Sequence, residues 1–142
     1  MFEMLLNKAK ATEENFFKEL LNQNMNLEKL NKIYKELKLD LNSLYFQDEF
    51  ILHYCCKKDL FQAVLWLISN GINIEFENSQ KETAIFYAIH AKSSAILQTL
   101  IDNKITFYKE KEKLENGYLL RNQELVKSDV EMVYNYILKQ QI

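Results

Sequence analysis

Apolar side chains recur every three to four residues along most of this chain, and short polar stretches interrupt them at regular intervals. Positions i, i+3, i+4 and i+7 share one face of a helix, so this spacing predicts amphipathic helices. They come in pairs: 12–24 with 27–37, 51–58 with 61–69, 84–91 with 94–102, and 118–127 with 129–140. The polar stretches between pairs hold Asn42, Asn78, Asn103 and Asn116, and none alternates with period two for long enough to predict a sheet. The chain has no proline and two glycines, Gly71 and Gly117, so periodicity rather than punctuation defines the elements. The expected fold class is all-α.

The two central pairs repeat one another. DEFILHYCCKK (residues 48–58) and KETAIFYAIHA (81–91) align without a gap at an offset of 33, placing Glu49 on Glu82, Leu52 on Ile85, Tyr54 on Tyr87 and Cys55 on Ala88. The same offset of 33 places Leu67 on Leu100, Ile68 on Ile101, Asn70 on Asn103 and Ile72 on Ile105. A fixed period between about 20 and 50 residues marks a stacked-repeat architecture, in which each unit buries its apolar face only against its neighbours. KLDLNSL (38–44) aligns with GINIEFE (71–77) at that offset, which makes the pair before it a first repeat or cap. Val133 lies 36 residues after Leu97, so about three extra residues fall near KEKEKLENG before the last pair.

SNGINIEFENSQKETAIFYAI resembles the ankyrin repeat. The run Ser69 to Ile74 stands where that family closes its second helix, and Glu82 to Phe86 where it carries a threonine-proline-leucine-histidine start. The earlier unit keeps Leu52 and His53 of that tetrapeptide and the later one keeps Thr83. The proline is missing, and Asp59 and Lys92 replace the family's mid-repeat glycine, so these are degenerate repeats, less stable than consensus ones. The resemblance covers residues 42–105 most closely. It implies an ankyrin-type solenoid filling the whole chain as one domain: a cap or first repeat over 1–41, repeats over 42–74 and 75–107, and a finger with a C-terminal cap over 108–142.

Composition removes several classes of function. With 142 residues, 48% hydrophobic and 27% charged, the chain is long and apolar enough to bury a core. Eighteen basic against twenty acidic side chains leave a net charge of −2 without a long basic block, so no nucleic-acid partner is expected. The start, MFEMLLNKAKATEENFF, has an acidic residue at position 3 and a short apolar run, and does not read as a signal peptide. No apolar run reaches the roughly 18 residues of a membrane helix. The two cysteines are adjacent, which forms neither a disulfide framework nor a metal site. A cytoplasmic protein without cofactor, monomeric or weakly dimeric, is the expectation.

Candidate chemistry is sparse. His53, Tyr54, Cys55 and Cys56 suggest a haem or small-molecule carrier, but consecutive helical residues point about 100° apart and zinc requires four converging groups. By the resemblance, His53 stands where the family has a structural histidine. The only other histidine, His90, lies one repeat away, and no phosphate loop, HExxH or carboxylate pair is present, so no enzyme is expected. Trp66 marks either an outer docking patch or a cover over the preceding unit, with Ile33 the expected contact.

The resemblance also implies where a partner would sit. Tyr45, Phe46, Phe76, Phe107 and Tyr108 fall in or beside the fingers, while Lys57, Lys58, His90 and Ala91 end the inner helices. The expected partner-binding residues are Tyr45, Phe46, Gln47, Glu49, Lys57, Lys58, Ser79, Gln80, Glu82 and His90. The expected function is a non-catalytic module that holds a separate protein, as an inhibitor, immunity or accessory factor.

Overall fold

The structure, a computed structural model, describes residues 11–105. Six helices follow in three pairs: α1 (Glu13–Leu20) with α2 (Leu27–Leu37), α3 (Ile51–Lys57) with α4 (Phe61–Ser69), and α5 (Ala84–His90) with α6 (Ser94–Asp102). These are stacked helix-turn-helix repeats, the all-α solenoid that the spacing predicts. The expected helices over 118–127 and 129–140, with Phe107 and Tyr108, lie outside the described residues. Among the described residues no helix is long and apolar enough to cross a membrane.

Local chemistry sets the helix ends. Thr12 Oγ1 accepts the Asn15 N–H at 3.0 Å and Asn26 Oδ1 accepts the Lys29 N–H at 3.0 Å, satisfying donors that the first turns of α1 and α2 leave open. Helix α1 stops at Leu20, four residues before the predicted end, because side chains take over the backbone bonding there. Asn22 Oδ1 accepts the Asn24 N–H and Glu19 Oε2 accepts the Asn26 N–H, which turns the chain back into α2.

The repeat is visible bond by bond. Asp40 Oδ1 accepts the Asn42 N–H and, 33 residues on, Asn73 Oδ1 accepts the Glu75 N–H, the same Asx turn at the same place. The inter-helix turns repeat as well: Leu60 N–H to Cys55 O and Ser93 N–H to Ala88 O. Each turn needs one left-handed residue, supplied by Asp59 (φ 56°) and Lys92 (φ 55°) where glycine would cost nothing. Lys38 (φ 51°), Gly71 (φ 84°) and Lys104 (φ 62°) form a second left-handed series, one after each outer helix.

One continuous core runs from Phe16 to Ile105. Between the second and third pairs, α3 and α5 lie side by side and bury Cys55, Cys56, Ala88 and Ile89 completely, and the small side chains of Cys55, Cys56 and Ala88 let the helices approach. The first pair meets the second through large rings instead. Trp66 sits edge-on to Phe16 (5.6 Å between centroids) and to Tyr34 (5.0 Å), and its indole N–H donates to Asn31 Oδ1 at 2.8 Å. Trp66 is 4% exposed, so it covers the preceding unit and offers no outer patch. Ile33, the expected contact, is buried in the same core.

One element departs from the all-helical pattern that the spacing predicts. Tyr45–Phe46 (β1) and Glu49–Phe50 (β2) pair antiparallel, with Tyr45 opposite Phe50 and Phe46 opposite Glu49. Gln47 (φ 51°) and Asp48 (φ 65°) both adopt left-handed backbone, the requirement of the tight turn that suits a hairpin. The first finger is therefore a miniature hairpin, whose strands of two residues are too short to register as an alternating pattern.

Candidate functional site: the cleft between two fingers

The loops that precede α3 and α5 project as neighbouring fingers and enclose a cleft of about 540 Å³. Tyr45, Asp48 and Glu49 form the wall from the first finger, and Phe76, Ser79 and Gln80 face them from the second. His53, Lys57 and Tyr87, from the inner helices, close the base.

Aromatic packing fixes the base. Phe50 stacks on Phe76 with centroids 4.0 Å apart, and Tyr45 stands edge-on to both. His53 is stacked on Tyr87 at 5.0 Å and its Nε2 lies 3.2 Å from the Phe76 carbonyl oxygen. A carbonyl only accepts, so Nε2 carries the hydrogen. Burial lowers the His53 pKa to about 4, against smaller upward effects of the Phe76 carbonyl and of Glu82 and Glu49, so the ring is neutral near pH 7. With 1% exposure and that nitrogen committed to backbone, His53 is a structural residue that fastens one repeat to the next finger.

The two fingers treat the same glutamate differently. In the second, Asn78 Oδ1 accepts the N–H groups of Gln80 and Glu82, and Asn78 Nδ2 donates to Glu82 Oε1 and to the Tyr87 oxygen. The Tyr87 hydroxyl donates to Glu82 Oε1 at 2.9 Å, and burial together with that carboxylate pushes the phenol up to about 12. Glu82 is consequently 4% exposed and spent on holding its own finger. One repeat earlier, Tyr45 occupies the place of Asn78, and a phenol ring cannot make those bonds. Glu49, the counterpart of Glu82, turns instead to an ion pair between its Oε1 and Lys57 Nζ. Its Oε2 is shielded from solvent and accepts no hydrogen bond from the described residues.

Of the ten residues expected to touch a partner, Tyr45, Glu49, Lys57, Ser79 and Gln80 meet at this cleft. The others lie elsewhere. Phe46 packs inward against Tyr54 (4.9 Å) and Phe17 (5.2 Å), and Gln47 is exposed at the hairpin tip. Lys58 sits over the Tyr54 ring at 6.0 Å and lines a smaller groove of about 370 Å³ with Leu20 and Phe61. His90 is half-buried beside Phe86, ring centroids 4.4 Å apart, and Glu82 is interior as described. Phe76, expected in a finger, lines the cleft, and so do Asp48 and Glu77, two carboxylates outside those ten. Their signal was present: residues 39–50 and 72–83 carry six carboxylates, Asp40, Asp48, Glu49, Glu75, Glu77 and Glu82, against one cation, Lys81.

Cys55 and Cys56 are free thiols, completely buried, and burial raises both pKa values far above that of a reactive cysteine. Among the described residues no three of His, Cys, Asp and Glu gather as a metal site.

A family model for ankyrin repeats in three copies matches residues 5–111 of the chain. No curated protein and no solved structure matches it.

Proposed function

This chain belongs to the ankyrin-repeat family, whose repeats mediate protein–protein interaction, and from that premise we propose that it is a non-catalytic module that binds a separate protein through the cleft between its fingers. The carrying observation is the convergence of Tyr45, Glu49, Lys57, Ser79 and Gln80 from two fingers and an inner helix on one cleft of about 540 Å³. Tyr45 is 49% exposed, and an aromatic ring left half in water beside polar groups suits the centre of an interface. An inhibitor, immunity or accessory factor acts by such contacts alone, and the units 1–41, 42–74, 75–107 and 108–142 are its proposed building blocks. A haem or small-molecule carrier centred on His53 is disfavoured, because that ring has neither exposure nor an uncommitted Nε2.

The test is affinity capture from a lysate of the source cell, with intact protein and the double variant Tyr45→Ser, Gln80→Ala as baits. A protein retained by the first and lost from the second supports the cleft. Equal retention by both, or none by either, overturns it.

A further inference from the structure

Resting on the cleft as the partner site, we infer that it takes an arginine side chain from a basic segment of the partner, which replaces Lys57 in its ion pair with Glu49. Three observations carry this. Asp48, Glu49 and Glu77 line the cleft against Lys57 alone, so the field there favours a cation although the whole chain is nearly neutral at −2. Glu49 is served by half: Lys57 engages Oε1, and Oε2 receives no hydrogen bond from the described residues. The rings of Tyr45 and Phe76, 6.4 Å apart and nearly perpendicular, line the same space.

An ammonium is a point charge that meets one carboxylate oxygen, whereas a guanidinium presents two parallel N–H groups to both oxygens at once and lays its plane on an aromatic face. Displacing Lys57, which the two-pronged contact requires because Oε2 is shielded from solvent while Lys57 is in place, is inexpensive. Its side chain is 43% exposed, and ion pairs at that exposure contribute little. Asp48 and Glu77 line the same cleft and add attraction for the rest of a basic segment. The third repeat cannot offer this site, because Asn78 and Tyr87 already occupy Glu82.

Recognition of arginine fixes the sign of an effect that a generic interface leaves open. The probe is a five-residue glycine-serine peptide with a central arginine, titrated into the full-length, ¹⁵N-labelled protein beside its lysine, citrulline and glutamate counterparts. The arginine peptide is expected to move the amide signals of residues 45–50 and 76–80, and to bind more tightly than the lysine peptide. Glu49→Gln weakens it about tenfold by removing the charge-assisted pair, and Lys57→Met tightens it about threefold by removing the competitor. Stronger binding of the glutamate or citrulline peptide, weaker or unchanged binding in Lys57→Met, or no movement at those amides overturns the proposal. If Glu49→Gln fails to fold, the sign in Lys57→Met decides. A partner captured through the cleft in the lysate, combined with an unresponsive arginine peptide, sinks this inference and leaves the protein-binding reading standing.

Discussion

His53 and Tyr87, one repeat apart, lie face to face at 5.0 Å with their planes 28° from parallel, and the same imidazole reaches the Phe76 carbonyl oxygen 3.2 Å from Nε2. One side chain of the second repeat thereby locks both the inner helix and the finger of the third. The ring is held neutral, so its protonation opposes the fold.

The unfolded imidazole protonates near pH 6.5 and the folded one only near 4, so between those values the unfolded state binds more protons. This contribution is fully present above pH 6.5 and is lost as pH falls to about 4, by about 3 kcal/mol in total. Urea midpoints measured at pH 7 and pH 4.5 are expected to differ by less in His53→Gln than in the native sequence. An equal drop in both proteins would assign the acid sensitivity to other groups.

Trp66 and Asn31 form the polar bolt between the first two pairs. Trp66→Phe is expected to cost about 1–2 kcal/mol, because Asn31 Oδ1 loses its donor. Trp66→Ala is expected to cost about 3–5 kcal/mol through the cavity it leaves among Phe16 and Tyr34. Thermal melting reads both, while sedimentation of Trp66→Phe should show the native oligomeric state, since the indole is covered within its own chain.

Left-handed backbone recurs at Lys38, Gly71 and Lys104. No atom lies within 4 Å of a Cβ built on Gly71, so Gly71→Ala meets only backbone strain at φ +84° and should cost about 1 kcal/mol. Lys38→Gly and Lys104→Gly remove the same strain and should each stabilise by about 0.5–1 kcal/mol. A stability drop in both lysine variants would mean that the side chains contribute more than the strain costs.

Cys55 and Cys56 are sealed between α3 and α5. A thiol reagent at pH 8 is expected to label the native protein no faster than it unfolds, with both sulfurs appearing together as denaturant is raised. Rapid labelling of one cysteine in buffer would contradict the packing of these inner helices.

The sequence carries the repeat because each unit solves the same local problem. Asp40 and Asn73 make the same Asx turn, and Leu60 and Ser93 close the same inter-helix turn, each pair 33 residues apart. Such bonds span a few residues, so their chemistry recurs wherever the spacing does. The ranges 27–37, 61–69 and 94–102 follow from apolar periodicity alone and coincide with helices Leu27–Leu37, Phe61–Ser69 and Ser94–Asp102.

What periodicity does not encode is how equivalent positions diverge. Glu49 and Glu82 align, as do Tyr54 and Tyr87, yet one glutamate faces the cleft and the other is interior. The difference arises from Tyr45 standing where the next repeat has Asn78: an amide can staple a finger and satisfy a buried carboxylate, and a phenol ring cannot. Among the described residues the sequence by itself determined the three helix pairs, apart from where the first helix ends, and it determined the family. Tertiary structure decided which side chains became Trp66's cover, which became the His53 lock and which were left to line the cleft, because those fates depend on neighbours 20 to 35 residues away that no local pattern names.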